Sequence, residues 1–334
     1  MDNILVTGGL GYIGSHFITT LNPKKFKVIV VDNLSNSSVR VIDQLKKIIN
    51  IEIVFYKINL SNEKLLDKIF KQHSINYVVH FAGLKSVNDS IEFPDFYYDN
   101  NVTSTDILLE KMLKHNVKKL IFSSSATVYG HQNKQPVNED FSLNPINPYG
   151  ETKKIIEDKL ANIVIKFNDF SAICLRYFNP VGAHSSALIG ENSIGSPNNL
   201  MPYLLGVASG KFKYLKIFGD NYNTPDGSGL RDYIHVMDLA ESHNHSINFL
   251  KKNNGLFIFN IGTGKPYSVF DLIKTFEEVN QVRIPYQISN RRNGDVDVCY
   301  ANVKKANDIL GWKSKRSIEQ ICIDAWKWEL NSLK

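Results

Sequence analysis

A tyrosine and a lysine stand four residues apart in Tyr149-Gly-Glu-Thr-Lys153, directly after Pro148. On a helix this spacing puts the phenol and the ammonium on one face, and a proline suits the first helical turn. An ammonium beside a phenol favours the phenolate and draws the pKa down from about 10. A phenolate is a competent general base near neutral pH. Upstream, Ser123-Ser-Ser125 closes an apolar run and offers a hydroxyl that can bond a reacting oxygen or pass its proton. Near the start, Thr7-Gly8-Gly9-Leu10-Gly11-Tyr12-Ile13-Gly14 joins an apolar run to a helical pattern. Glycines there permit a tight turn, a backbone close to a pyrophosphate, and a helix packed on its strand. The free N–H groups of the helix start favour the phosphates. Asp32 ends the next apolar run, 18 residues beyond Gly14. A carboxylate at that place accepts the ribose hydroxyls of a dinucleotide. It repels a 2′-phosphate, and residues 33–39 contain no arginine, so the pattern selects NAD over NADP. Plainer alternatives stand beside each reading: a simple glycine turn, a helix cap at Asp32 with Asn33 and Ser35 as neighbours, and an exposed helix face for Tyr149 and Lys153.

The elements that must position these residues alternate. Apolar runs at Asn3–Val6, Lys27–Val31, Ile51–Tyr56, Asn76–His80 and Lys119–Phe122 read as strands. Between them Tyr12–Leu21, Ser37–Ile49, Asn62–Gln72 and a long stretch over Pro94–His115 read as helices. Near-continuous apolar strands separated by helices predict an α/β fold, a Rossmann-type doubly wound parallel sheet covered on both faces. After about Tyr177 the regularity fades, with turn-rich stretches at Gly182–Asn199 and Asp220–Gly229. This predicts a nucleotide-binding domain over 1–180, with later segments returning to it. A smaller, discontinuous α/β substrate-binding lobe follows over 181–334.

Composition bounds the rest. The 334 residues are 43% hydrophobic and 22% charged, ordinary for a folded globular chain. The net charge of +6 is mild and scattered, and only seven of the 39 basic residues are arginine, so nucleic acid is not an expected partner. Cys174, Cys299 and Cys322 are odd in number and far apart, which excludes a disulfide framework and a zinc spacing and fits a reducing compartment. No apolar run approaches the roughly 18 residues of a membrane span, and the first residues lack a charged leader region. A cytoplasmic protein without metal or membrane partner is expected.

Taken together the motifs resemble the extended short-chain dehydrogenase/reductase superfamily, and within it the UDP-glucose 4-epimerase (UDP-galactose 4-epimerase) family. The likeness runs over residues 2 to about 330. It rests on 6–16, Asp-Asn-Leu-Ser-Asn-Ser at 32–37, His-Phe-Ala-Gly-Leu-Lys at 80–85 and Tyr-Tyr-Asp-Asn-Asn-Val at 97–102. It continues through Phe-Ser-Ser-Ser-Ala-Thr-Val-Tyr-Gly at 122–130, Arg-Tyr-Phe-Asn-Pro-Val-Gly-Ala-His at 176–184 and Asn-Asn-Leu-Met-Pro-Tyr at 198–203. The last stretches are Arg-Asp-Tyr-Ile-His-Val at 231–236 and Arg-Arg-Asn-Gly-Asp at 291–295. The resemblance implies Tyr149 as base, Lys153 as its electrostatic partner and Ser125 as the hydroxyl on the sugar oxygen. It implies NAD held by Gly8, Gly11, Tyr12, Ile13, Asp32, Asn33, Asn36 and Ser37, then by Asn59, Leu60, Phe81, Lys85, Asn100, Ser123, Tyr149, Lys153 and Tyr177. A UDP-hexose would meet Lys85, Ser125, Tyr149, Phe178, Asn179, Asn199, Leu200, Lys216, Phe218, Arg231, Tyr233, Arg292, Asp295 and Cys299. Planar guanidinium forks suit a diphosphate, as Arg231 and Arg292 would supply, although Arg231 could instead pair with Asp232. The family also implies a homodimer packed through helices such as Pro94–His115 and Glu151–Asn168.

Three positions depart from the family pattern. Asn59 stands where aspartate is usual near the adenine, and its carbonyl still accepts that bond. Lys216 replaces a small residue, at a contact expected through the backbone. At position 299 the family carries either a bulky tyrosine or a small residue. Cys299 is small and implies room for a 2-acetamido group, hence turnover of UDP-GlcNAc and UDP-GalNAc, although it could be only a small buried apolar residue. Among rivals, nucleotide-sugar 4,6-dehydratases carry an Asp-Glu pair where this chain has Ala126-Thr127. A UDP-pentose or UDP-uronic acid 4-epimerase shares the motifs more closely, whereas a silent NAD-sensing protein is expected to lose the Tyr-Lys pair.

Overall fold

The computed structural model describes residues 1–192, 197, 199–292 and 294–333. The chain divides into two units. The first holds Met1–Gly130, Phe141–Tyr177 and Ala240–Phe259, and the second His131–Asp140, Phe178–Leu239 and Asn260–Lys334.

The first unit is built on a seven-stranded sheet. Its strands are β1 (Asp2–Thr7), β2 (Phe26–Asp32), β3 (Ile53–Lys57), β4 (Ile75–His80), β5 (Lys119–Ser125), β6 (Ser171–Tyr177) and β7 (Leu256–Ile261). Across the sheet they run β7-β6-β5-β4-β1-β2-β3. All pairs from β6 to β3 are parallel. The Ala172 N–H donates to Gly255 O and the Phe178 N–H to Ile261 O, so β7 also runs parallel to β6. The predicted doubly wound parallel sheet is present. Strands covered on both faces need side chains that bury in either direction, and Ile4, Leu5 and Val6 or Val28 to Val31 do so consecutively. The order reverses between β1 and β4, which opens a crevice at the C-terminal ends of these strands.

The helices cover this sheet with one apolar stripe each. Helix Glu63–Gln72 starts where Asn62 accepts the Leu65 N–H at 3.1 Å, and it buries Leu66, Ile69 and Phe70. Helix Arg40–Ile48 begins three residues later than Ser37, because the Ser37 hydroxyl is drawn back to Asp32 at 2.9 Å. The stretch read as one helix over Pro94–His115 changes pitch: α-helix at Pro94–Tyr97, a π-turn at Tyr98–Thr103, then α-helix at Ser104–Lys114.

In the second unit the strands are short. Asn179–Val181 pairs in parallel with Tyr233–His235, and Leu215–Phe218 with Tyr286–Ser289. Leu230–Arg231 lies between antiparallel Tyr267–Ser268 and parallel Val298–Cys299. Helices Leu200–Ala208, Val269–Asn280 and Ile318–Ser332 close a core around Leu204, Leu272, Phe276 and Ile321. Ser268 and Asp271 form a reciprocal cap at the start of the second of these. Among the described residues no helix is long and apolar enough to cross a membrane.

Candidate functional site

The glycine turn after β1 is a cradle that side chains would fill. Gly8 sits at φ +66°, and a Cβ there would lie 2.7 Å from Ala82 N. A Cβ on Gly14 would lie 2.5 Å from Gly8 O and 2.8 Å from the Gly9 Cα. Gly11 caps helix Tyr12–Thr19 without a side-chain bond, so the first turn, carrying Tyr12 and Ile13, presents its backbone N–H groups. These features fit the phosphates of a dinucleotide.

Asp32 is buried at the end of β2. Its Oδ2 accepts the Leu10 N–H at 3.0 Å, and its Oδ1 accepts the Leu34 N–H and the Ser37 hydroxyl, both at 2.9 Å. The carboxylate therefore ties the glycine turn to the loop after β2. A carboxylate offers about four acceptor positions, so capacity for a further donor remains on Oδ2. In that loop the Asn33 Oδ1 turns back to the Ser35 N–H, and Asn36 is exposed. After β3 the exposed Asn59 caps the Ser61 N–H, while the Leu60 side chain is buried in the core under the sheet. Leu60 can thus offer a ligand its backbone, not its side chain.

At the ends of β4 and β5 the reactive groups converge. His80 is fully buried, with Thr7 Oγ1 at 2.6 Å on Nδ1 and Thr105 Oγ1 at 2.9 Å on Nε2. Burial lowers its pKa to about 3, the Lys153 charge adding to the effect, so the ring is neutral. Phe81 follows, its ring 5.7 Å from Phe17 and 4.8 Å from His243. The exposed Lys85 holds its ammonium 5.9 Å from the Tyr12 ring centre. Asn100 lies in the π-turn. The next residue, Asn101, clamps the Leu84 backbone at both N–H and C=O and donates to Thr152 Oγ1 at 3.2 Å.

Helix Pro148–Lys166 carries Tyr149 and Lys153. Asn147 caps it by accepting the Gly150 N–H at 2.8 Å. Gly150 lets this end lie against the backbone after Ser125, since a Cβ there would come within 2.8 Å of Thr127 O. The Ser125 hydroxyl lies near enough to Tyr149 to lower its phenol's pKa. It also accepts from the Thr127 N–H and hydroxyl. Lys153 donates to the Ser123 carbonyl at 2.9 Å, and its ammonium is 5.7 Å from the Tyr149 ring centre. Tyr177, opposite Ser125 in the sheet register, places its hydroxyl 2.6 Å from His243 Nε2, and nearby Ser123 lowers the phenol's pKa against the effect of burial. Ser123, Ser125, Tyr149, Lys153 and Tyr177 are thus brought together at the C-terminal edge of the sheet.

The electrostatics differ from the expectation. Burial pushes the Tyr149 phenol up to about 12. The Ser125 hydroxyl opposes this and nearby Tyr97 adds to it, so that burial outweighs the depression expected from Lys153. The reason is that Lys153 is itself buried and turned to the Ser123 carbonyl, its own pKa lowered by burial to about 8. The side chains of this unit alone therefore keep the phenol protonated at neutral pH.

The second unit gathers another group. Arg231 lies on the central strand of its small sheet, in register with Cys299 and Tyr267. Its guanidinium donates to Leu230 O at 2.9 Å and stands 4.0 Å from Asp295. It does not pair with Asp232, which is fully buried and accepts from Thr263 N–H and hydroxyl, Gly264 N–H and Ala301 N–H. The Cys299 thiol is pushed up to about 11 by burial, which Arg231 opposes, so it is a protonated, small side chain. Arg292 lays its guanidinium 3.8 Å over the Phe218 ring. Lys216 on the same strand as Phe218 is exposed. Phe178, just before strand Asn179–Val181, and Tyr233, the first residue of its partner strand, are buried, and burial pushes the Tyr233 phenol up to about 12. Asn199 caps helix Leu200–Ala208 by position only, its amide donating to Glu191 at 3.3 Å. Among the described residues no cluster of three His, Cys, Asp or Glu could hold a metal ion.

The model of the GDP-mannose 4,6 dehydratase family matches residues 5–325. The chain is 46% identical to the UDP-glucose 4-epimerase of Bacillus subtilis, over 99% of this chain and 97% of that protein. It superposes with TM-score 0.97 on the UDP-glucose-4-epimerase of Stenotrophomonas maltophila with bound NAD and formylated UDP-arabinopyranose, at 42% identity, covering 100% of this chain and 99% of the other. With the Bifidobacterium longum UDP-glucose 4-epimerase in complex with NAD+ and UDP the TM-score is 0.96 at 43% identity, covering 99% of each chain.

Proposed function

As the chain belongs to the GDP-mannose 4,6-dehydratase family of extended short-chain dehydrogenases/reductases, and within it to the UDP-glucose 4-epimerases, we propose that it interconverts UDP-glucose and UDP-galactose by NAD-dependent epimerisation at C4. The observation that carries this reading is the convergence of Tyr149, Ser125 and Lys153 at the sheet edge that also bears the glycine cradle and Asp32. Gly8, Gly11 and Asp32, with the flanking residues named above, hold NAD in the first unit. The second unit grips the nucleotide diphosphate through Arg231 and Arg292 and lines the sugar with Asn179 and Cys299. Bound at the cradle, NAD would supply the acceptor and donor for the C4 hydrogen with its electron pair, so that either face can result without net oxidation.

Tyr149 takes the proton of the 4-hydroxyl, directly or through Ser125, as the C4 hydrogen departs with its electron pair, and later gives that proton back. Lys153 would hold the ribose side of the cofactor from its place against the Ser123 carbonyl. A dehydration would need an acid after Ser125, and residues 126–129 are Ala-Thr-Val-Tyr without a carboxylate. Cys299, small and protonated, supports extension of the range to UDP-GlcNAc and UDP-GalNAc. The same reading makes the enzyme a homodimer of the cytoplasm. Free cysteines suit a reducing compartment, and Phe96 and Ile165 are exposed on the two helical stretches expected at the interface.

Incubation with UDP-galactose followed by chromatography for UDP-glucose tests the reaction; absence of product refutes it. In a parallel panel UDP-GlcNAc should turn over, and Cys299→Tyr should lower that rate by about tenfold or more while sparing UDP-galactose. A rate near zero on UDP-GlcNAc beside a healthy rate on UDP-glucose refutes the wider range.

A further inference from the structure

Glu157 stands one turn beyond Lys153 and two beyond Tyr149 on helix Pro148–Lys166, and it is 3% exposed. Both of its oxygens are engaged. Ser124 Oγ donates to Oε1 at 2.5 Å, Arg176 Nε to the same oxygen at 3.0 Å, and Arg176 Nη2 to Oε2 at 2.6 Å. Arg176 lies on β6, as buried as its partner. It donates from Nη1 to the Tyr129 hydroxyl at 2.8 Å and places its guanidinium carbon 4.8 Å over that ring. Tyr129 ends the short helix that starts directly after Ser125. One ion pair thus joins the helix, β5, β6 and the turn after β5.

Replacing a buried ion pair with apolar residues of like volume is often neutral or stabilising, so stability is a weak reason to keep one. Its location supplies another reason. Along β5 successive side chains alternate faces, so Ser124 points away from the face that Ser123 and Ser125 share. Ser123 receives Lys153 through its carbonyl, the Ser125 hydroxyl acts on the Tyr149 phenol, and Ser124 between them bonds Glu157. Three consecutive strand residues therefore meet three residues on one winding stripe of the helix.

Resting on the reading of Tyr149 and Lys153 given above, we propose that Glu157 and Arg176 are positioning residues of the reaction: their pair, closed through Ser124 and Tyr129, fixes the rotation of the helix and its slide along β5, and so sets the Tyr149 hydroxyl and Lys153 ammonium against Ser125 and Ser123. The pair has an electrostatic consequence as well. Lys153 loses basicity through burial, and the Glu157 charge is what opposes this. The other groups facing Lys153 are neutral His80, the Phe122 ring at 4.9 Å, the Tyr149 phenol on its own helix and, behind Glu157, Arg176 with the neutral Cys174 thiol. Removing the carboxylate charge while keeping its shape leaves Lys153 easier to deprotonate.

The test uses the NAD-loaded enzyme with UDP-galactose, comparing wild type, Tyr149→Phe, Glu157→Gln and Ser124→Ala. Thermal unfolding and bound NAD report the fold. Small misplacements of reacting groups are costly, so Glu157→Gln should lower kcat about tenfold with KM within about twofold. The alkaline limb of its pH profile should move down by about one pH unit. Ser124→Ala removes only the strand contact and should lower kcat about threefold with the limb unmoved. A folded Glu157→Gln enzyme with wild-type kcat and limb overturns the proposal. So does a Glu157→Gln enzyme that melts early yet keeps both. Should Glu157→Gln not fold, Ser124→Ala decides alone, and an unchanged kcat overturns it. A Tyr149→Phe enzyme at the wild-type rate would instead refute the functional reading beneath, and this proposal with it.

Discussion

The Tyr149 phenol, pushed up to about 12 by burial, is protonated in all but about one molecule in 10⁵ at pH 7. Lys153 is itself lowered to about 8 by burial, and the charge of the oxidised cofactor is expected to make the base. A unit positive charge at a contact distance of about 4 Å is worth about 4 kcal/mol at an effective dielectric of 20. At about 1.4 kcal/mol per pH unit, this brings the phenol from about 12 to about 9. The reduced cofactor has no such charge and should leave the phenol where burial puts it. The assay is the ultraviolet difference spectrum of wild type minus Tyr149→Phe, titrated from pH 6 upwards with NAD bound and again with NADH. Tyr149 is one of 15 tyrosines, and the subtraction removes the other phenols and the cofactor bands. With NAD the phenolate should appear at or below about pH 9, and with NADH about three units higher. Reciprocity adds a second readout: NAD should bind more tightly as pH rises through the phenol's range, and NADH should not. Equal titration in the two complexes would show that the protein itself makes the phenolate, and the argument from burial would fail.

Two further outcomes follow from the first unit. Gly14→Ala puts a Cβ 2.5 Å from Gly8 O, a backbone atom with nowhere to go, so the cradle must open. NAD retention through gel filtration should fall, with a stability loss of about 1–3 kcal/mol in urea unfolding; full retention would show that the turn is not the cofactor's seat. His80 is lowered from 6.5 to about 3 by burial. A folded pKa below the unfolded one gives stability that is present above pH 6.5 and lost as pH falls towards 3, about 2 kcal/mol of it by pH 5. The drop in urea stability between pH 7.5 and 5 should therefore shrink by about 2 kcal/mol in His80→Asn, and an unchanged drop would refute this.

The parts of the fold legible in the sequence are those where local pattern and burial coincide. Strands such as Val28–Val31 read as continuous apolar runs because both faces of a parallel sheet are covered. The π-turn at Tyr98–Thr103 has no such signature, since its composition is that of the helices around it. Two-residue strands such as Leu230–Arg231 and Val298–Cys299 are shorter than any period can reveal. In the site, the spacing of Tyr149 and Lys153 gave the shared helix face. It could not give the direction of the pKa shift, because that depends on burial and on Lys153 finding the Ser123 carbonyl thirty residues away. Glu157 extends the same spacing by one more turn, so its place on the stripe was visible, whereas its partner Arg176 on β6 was not.

Buried carboxylates recur where the candidate site residues sit, and their partners explain why. Asp32 draws on backbone N–H groups at Leu10 and Leu34, binding the glycine turn to the next loop. Asp232 draws on Thr263, Gly264 and Ala301, binding three chain segments beside Arg231 and Cys299. Glu157 does the same for β5 and β6 beside Lys153. Burial pushes the Asp232 carboxyl up, and the hydrogen bonds it receives oppose that. An ionised oxygen can accept several donors from loops that lack ladder partners, where a neutral amide would offer one acceptor and two surplus donors. Turns that must approach a ligand closely cannot be held by bulky apolar packing on that side. Anchoring them from behind by a charged acceptor fixes the backbone while leaving the approach open. An aspartate bordering an apolar stretch, as Asp32 borders Val28–Val31 and Asp232 borders Tyr233–Ile234, is therefore a place to look for an anchored loop.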